Sequence, residues 1–443
     1  MRVGMDFGTT NSGVAFFDGS RVHMIALDAT ARSAVMRSVI YLTREHECHV
    51  GQQAISLYNG QNINRQQRLV RRVIGHVEME HSDGLLVETD VHILVDELEP
   101  GRLIRSLKSA LATGYKGTVL YGREYTLEDL IALYLRTART RASEALGAEV
   151  TEVVLGRPVH FVGAETDADD SRAEARLRQA AELAGFRRVA FEFEPVAAAL
   201  HYARSLTDPQ HILVYDFGGG TLDVTAMRVG PGGRAEVLAI GGVGIAGDRF
   251  DQRLAEHTLL THFGADVTWG EKRLPVPRSL IEQITAWEGL PALATPETRA
   301  FLHRMQARCT APARLYALES LIFNSYGFAL FEAVEATKRR LSDVPFAAIA
   351  FTGTDIDIWQ PVTRTQFASA TSAEWRRIRE AVIDVIARSG LEPLQIDAVV
   401  RTGGSSSIPA SQSLLAELFG AEKVVEEDLF LGVTAGLSIR AAS

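Results

Sequence analysis

Two stretches half a chain apart carry the same pattern, and this duplication restricts the fold more than any other feature. Val3-Gly4-Met5-Asp6-Phe7-Gly8-Thr9-Thr10-Asn11-Ser12-Gly13-Val14 is echoed by Leu213-Val214-Tyr215-Asp216-Phe217-Gly218-Gly219-Gly220-Thr221-Leu222-Asp223-Val224. Each copy reads as an apolar strand, an aspartate, a Gly/Thr-rich turn and a second strand. Each runs on to a small polar turn, Asp18-Gly19 or Pro231-Gly232-Gly233. Two halves built on one plan follow, as 443 residues already require, since single cores stop growing near ~250–300 residues.

Between and after the copies, helix and strand alternate. Thr126-Leu127-Glu128-Asp129 opens a helix to Leu146 closed by Gly147, and Glu152–Leu155 is a buried strand leading to Gly156-Arg157-Pro158. A helix over 172–183 is closed by Gly185, 188–191 is a strand, and Pro195 starts a helix at Val196. The second half repeats the style with a helix over 374–389, a strand at 398–400 and a helix over 410–418. This alternation predicts an α/β fold with a largely parallel central sheet in each half. Segments 46–104, mixed and polar, and 246–342, mainly helical with breaks at Pro275, Pro277, Pro291 and Pro296, read as inserted subdomains.

Composition removes several classes of function. A net charge of −9 argues against a generic nucleic-acid surface, and two cysteines, Cys48 and Cys309, cannot form a disulfide framework. No apolar run reaches the ~18–20 residues of a membrane helix, and the first residues lack the pattern of a secretory leader. A cytoplasmic location is expected. Only five of the 46 basic residues are lysine, at 108, 116, 272, 338 and 423.

Four motifs carry chemistry. The paired turns offer backbone N–H groups to phosphate oxygens, with Gly218, Gly219 and Gly220 free to take positive φ and with Thr9, Thr10 and Thr221 adding hydroxyls. Asp6 and Asp216, at strand ends, suit magnesium held largely through water. Glu194-Pro195 places a carboxylate at a helix start, where the dipole favours it. Glu335, Lys338, Arg339 and Ser342 share one helical face by their i, i+3, i+4, i+7 spacing, and Gly403-Gly404-Ser405 forms a turn from a strand into a helix. Glu45-His46-Glu47-Cys48-His49 has metal-ligand residue types but reads as a strand, on which alternate side chains face apart.

The order of these elements resembles the actin-like ATPase superfamily, specifically the nucleotide-binding domain of the DnaK family of 70-kDa heat-shock chaperones. Residues 6–12 resemble its first phosphate motif, 216–224 its second, Glu194-Pro195-Val196-Ala197-Ala198-Ala199 its Glu-Pro-Thr-Ala-Ala-Ala segment, 335–342 its adenosine helix and 403–405 its adenosine turn. The resemblance implies two lobes, 1–209 and 210–443, each a mixed sheet flanked by helices with an inserted subdomain. It also implies ATP/ADP and Mg²⁺ in the cleft, with slow ATP hydrolysis serving as a conformational switch. Asp6 and Asp216 would order the Mg²⁺ water shell and Glu194 the catalytic centre. Gly8, Thr9, Thr10, Asn11, Gly218, Gly219, Gly220 and Thr221 would hold phosphate. Glu335, Lys338, Arg339, Ser342, Gly403, Gly404 and Ser405 would hold adenosine.

The family's γ-phosphate lysine has two candidates: Lys108, and Arg71 in Arg71-Arg72-Val73-Ile74-Gly75, with Lys108 preferred as the compact charge. Ser407 stands where the family has an arginine stacked on adenine, and Phe430-Leu431-Gly432 replaces a Pro-Asp-Glu-Ala segment. With 443 residues the chain is similar to short YegD-type relatives that lack the peptide-binding domain, so direct binding of unfolded peptides is not expected. A protein partner that reads lobe closure is. Rival readings are a carbohydrate kinase of the same superfamily and a non-catalytic nucleotide-binding scaffold.

Overall fold

The computed structural model describes residues 1–28, 33–80, 86–204, 206–231, 234–425 and 432–442, with backbone alone for 71–80 and 86–94. Arg71 as a side chain, Gly232-Gly233 and Phe430-Leu431 therefore lie outside the described residues.

The sequence repeat becomes a repeat of topology. In the first sheet the strands lie in the order Arg188–Phe193, Glu152–Arg157, Arg2–Phe7, Asn11–Phe17, Val22–Met24, with Val35–Arg37 also pairing with Asn11–Phe17. In the second the order is Val424–Val425, Ala398–Thr402, Gln210–Phe217, Leu222–Gly230, Arg234–Val243. Strand senses match as well: Arg2–Phe7 is parallel to Glu152–Arg157 and antiparallel to Asn11–Phe17, as Gln210–Phe217 is to Ala398–Thr402 and Leu222–Gly230. The sheets are mixed rather than largely parallel. A turn as short as 8–10 or 218–221 can only return the chain antiparallel, and parallel neighbours arise where a helix carries it back.

Local signals set most helix ends. Thr126 caps Leu127–Leu146 in a reciprocal box with Asp129, and Gly147 closes it at φ 62°. A second box, Thr166 with Asp169, starts Asp167–Leu183 five residues ahead of the expected start. Pro291 and Pro296 fall in the first turns of short helices, where a missing N–H costs nothing, so they start elements rather than break them. The stretch 45–49 is not one strand: His46 takes φ 65° in a turn, its N–H bonded to Thr43 O at 3.0 Å, and only Cys48–Val50 is extended.

Three layers meet at the centre. Val3, Met5 and Phe7 face the Leu127–Leu146 side of the first sheet. On the opposite face helix Gly432–Ala442 lies directly on the strands, where a Cβ at Gly4 would stand 2.2 Å from Ser438 N, and against helix Glu194–Ala203, where one at Gly436 would stand 1.7 Å from Ala197 O. Ala197, Ala198 and Ala199 are fully buried there together with Val214, Val400 and Leu437, so the core is continuous between the sheets. The last helix of the described chain thus packs on the first half, across the 209/210 division expected from the repeat.

Segments 46–104 and 246–342 also meet. Phe328 is buried among Tyr41, Tyr58 and Leu103, with Trp287 edge-on to its ring, and Tyr326 donates to Asn64 Oδ1 at 2.8 Å. No helix among the described residues is long and apolar enough to cross a membrane.

Candidate active site in the cleft between the sheets

The paired turns face each other across a cleft of about 1000 Å³. A Cβ at Gly219 would stand 2.0 Å from Thr10 Oγ1, so the second turn approaches the first as only glycine allows. Gly8 is equally constrained, its Cβ position 2.2 Å from Asn11 O. The expected positive φ is not used: none of Gly8, Gly218, Gly219 and Gly220 adopts it. Close approach constrains Gly8 and Gly219 alone, since Cβ positions at Gly218 and Gly220 meet nothing nearer than 3.8 Å. Gly403 does need both, with φ 76° and its Cβ position 2.4 Å from Phe217 O. Ser405 Oγ donates to Gly218 O at 2.6 Å, which joins the fourth motif to the second turn.

Apart from Arg71, whose side chain lies outside the described residues, every site residue expected from the sequence lines this one cleft. Asp6, Gly8, Thr9, Thr10 and Asn11 come from the first turn, and Asp216, Gly218, Gly219, Gly220 and Thr221 from the second. Lys108 and Glu194 lie on the same walls, as do Glu335, Lys338, Arg339, Ser342, Gly403, Gly404 and Ser405.

At the turn end, Lys108 Nζ donates to Glu194 Oε1 at 2.5 Å, and both residues are buried. Burial would lower the Lys108 ammonium, but Glu194, Asp6 and Asp216 together hold it above its ordinary value. The carboxyls outnumber it. Burial and then the Glu194 charge push Asp6 up to about 7 and Asp216 up to about 6. Burial and the Asp216 charge push Asp223, bonded to Thr221 Oγ1 at 2.9 Å, up to about 7. Asp223 had not been singled out, yet the repeat marks it: it sits opposite Asp216 in the sheet, where Gly13 sits opposite Asp6. Like charges directly across a strand pair repel. The site as built is short of positive charge.

A pH dependence follows. Between about pH 4 and 7 these raised carboxyls bind more protons folded than unfolded, so their contribution to stability is full below about pH 4 and is lost as pH rises through about 7. Thermal melts of the ligand-free chain should show stability falling from pH 5 to pH 8, and Asp223→Asn should flatten that slope. A slope unchanged by the substitution would contradict the burial of this cluster.

At the far end the expected adenosine face is already engaged. Lys338 Nζ donates to Asp251 Oδ2 at 2.6 Å and Gly247 O at 3.0 Å, tying two helices of the second half together. Burial pushes Asp251 up to about 7 in spite of that lysine. Glu335 accepts from Arg37 Nη1 at 2.8 and 2.9 Å and from Nη2 at 2.9 Å, and Glu332 accepts from Nη2 at 2.7 Å. Arg37 lies opposite Asn11 in the first sheet, so it links the first turn to helix Gly327–Asp343 across the cleft. No local pattern marks Arg37 or Asp251, since their partners are far away in sequence. Arg339 and Ser342 keep their place on the lining, Arg339 exposed.

Comparison with known proteins agrees with this architecture. The chain is 25% identical over 448 residues to "Chaperone protein DnaK" of Thermotoga petrophila, covering 99% of this chain and 59% of that protein. It is 29% identical over 429 residues to "Chaperone protein dnaK3" of Thermosynechococcus vestitus, covering 95% and 52%. "Chaperone protein dnaK" of Cyanidioschyzon merolae is 27% identical over 432 residues, covering 95% and 58%. The chain thus spans between half and three-fifths of the length of these relatives. The family model described as "Hsp70 protein" matches residues 2–269 and 328–442, which hold both turns, Lys108, Glu194 and the helix bearing Glu335, and on that match the chain belongs to the Hsp70 family.

Proposed function

We propose that this chain binds Mg-ATP in the cleft and slowly hydrolyses the β–γ bond, using lobe closure as a nucleotide-gated switch. The observation that carries this reading is the contact of the two turns, Gly219 against Thr10, around the Lys108–Glu194 pair. Such a frame aligns phosphates from both halves at once, and phosphoryl transfer is catalysed mostly by positioning and charge stabilisation. The lobes would be 1–209 and 210–443, with 432–442 packed back on the first, and ligands of α/β sheets gather in such crevices.

Magnesium fits the residues present. Asp6, Asp216 and Asp223 are hard oxygen donors, each raised first by burial and then by the charge of a neighbouring carboxylate, which a cation would relieve. Among the described residues no three His, Cys, Asp or Glu side chains converge as a ready-made ligand set. Mg²⁺ usually needs only one or two carboxylates, completing its shell with water and phosphate. When bound it would neutralise phosphate charge, with Asp6 and Asp216 holding its waters. Lys108 supplies a fixed charge at the phosphate end, and Glu194 holds that ammonium in place.

Calorimetric titration with ATP, ADP and GTP in Mg²⁺, followed by phosphate-release kinetics, tests the reading. ATP and ADP should bind and phosphate should be released slowly without any added sugar. Turnover that rises sharply with a sugar would mark a carbohydrate kinase instead, and binding without turnover a scaffold. Base recognition gives a further prediction. Ser407 lines the cleft with its hydroxyl turned back to Gly404 O at 2.8 Å, so it offers no stacking plane. Ser407→Arg should tighten ATP binding by roughly 0.5–2 kcal/mol. An unmoved dissociation constant would show that the base does not lie against this turn.

A further inference from the structure

Strand Glu152–Arg157 ends beside the phosphate end of the cleft, where a Cβ at Gly156 would stand 3.0 Å from Glu194 Cγ. The loop that follows, 158–164, forms part of the cleft wall. Its tip also touches the segment that follows Lys108, since the Cβ position of Gly163 lies 3.6 Å from Thr113 Cγ2. Its one ionisable side chain, His160, lines the cleft with 63% of its surface open, and its Nδ1 lies 2.7 Å from Asp170 Oδ2. Asp170 is 6% exposed and also accepts from Phe161 N–H at 2.7 Å, so its carboxylate is fixed from two sides. Arg157, bonded to Glu174 at 2.5 Å with its guanidinium over Phe161 and Phe193, braces the loop beneath.

A carboxylate only accepts, so the Asp170 contact puts the imidazole proton on Nδ1 and leaves Nε2 as a free acceptor. A surface His–Asp pair needs no buried partner. Here the partner is buried and the histidine opens into the cleft.

We propose that His160, oriented by Asp170, is the proton acceptor for the nucleophile at the phosphate end of this cleft. The inference rests on the hydrolysis proposed above. As the water oxygen bonds to the γ-phosphorus, the bond from that phosphorus to the β–γ bridging oxygen breaks and its electron pair leaves with ADP. The water proton passes to Nε2, and the imidazolium returns it to solvent.

The test compares the full chain with His160→Ala, His160→Gln and Asp170→Asn in single-turnover phosphate release, with nucleotide affinity and thermal melts measured alongside. His160→Ala should lower the rate by about 10²-fold with an unchanged dissociation constant for Mg-ATP. Added imidazole should restore part of it, because the side chain it replaces is open to solvent. Asp170→Asn should also slow release, since an amide N–H facing Nδ1 forces the proton onto Nε2. A wild-type rate in His160→Ala, or a loss that imidazole does not relieve in any variant, overturns the proposal and leaves the hydrolysis reading standing. A wild-type chain that binds ATP and releases no phosphate overturns both.

Discussion

Lys108→Ala should lower phosphate release by roughly 10²–10³, the usual effect of removing one preorganised charge from such a site. The structure adds a second consequence. Lys108 is the ammonium set among Glu194, Asp6 and Asp216; it and Glu194 are buried, and all four line the cleft. Breaking a buried pair by removing one partner costs about 3–5 kcal/mol, because the remaining charge is left uncompensated. That loss should shrink at acid pH. Asp6 and Asp216, already raised to about 7 and about 6, take up protons and no longer need the ammonium. Lys108→Met keeps the stem's volume and separates packing from charge: it should match the alanine variant in rate and in the acid recovery of its melting temperature. Wild-type phosphate release by either variant would remove Lys108 from the mechanism.

Gly436→Ala should damage both stability and turnover, although position 436 lies outside the cleft lining. The added methyl would stand 1.7 Å from Ala197 O, a backbone atom within a buried helix, so one of the two helices must move. Overpacking of this kind costs about 1–3 kcal/mol and sometimes more. The helix displaced, Glu194–Ala203, begins with the carboxylate that holds Lys108, so its movement loosens the turn end of the cleft. Gly60→Ala is the matched control. It lies within helix Gly51–Asn62 with nothing within 4 Å of its Cβ position, and should stabilise the chain by about 0.5–1 kcal/mol. Equal melting temperatures for Gly436→Ala and wild type would show that helix Gly432–Ala442 does not sit against helix Glu194–Ala203 as described.

What could be read from the amino acids alone is what depends on neighbours a few residues apart. The strand–turn–strand copies, the box of Thr126 with Asp129, the stop at Gly147 and the shared face of Glu335, Lys338, Arg339 and Ser342 are all of this kind. Periodicity, capping and turn chemistry act within one or two turns of helix, so the sequence displays them directly. The family resemblance extends this reach, because it implies that four such motifs share one cleft.

The tertiary structure decided the rest. Arg37 grips Glu335 at a separation of 298 residues, and Asp251 takes Lys338 at a separation of 87. These pairings leave no local signature at either residue, since each depends on how two separately formed elements pack. Asp223 stands between the two cases: its place opposite Asp216 follows from the local hairpin, but its raised carboxyl comes from burial, which only the packed structure sets. Gly436 reads as an ordinary helical glycine until helix Gly432–Ala442 is laid on the first sheet, where only a hydrogen fits against Ala197 O. The duplication alone determined that there would be two sheets of one design. Burial, by stripping water from Asp6, Asp216 and Asp223 beside the Lys108–Glu194 pair, decided the protonation of the groups that face the cleft.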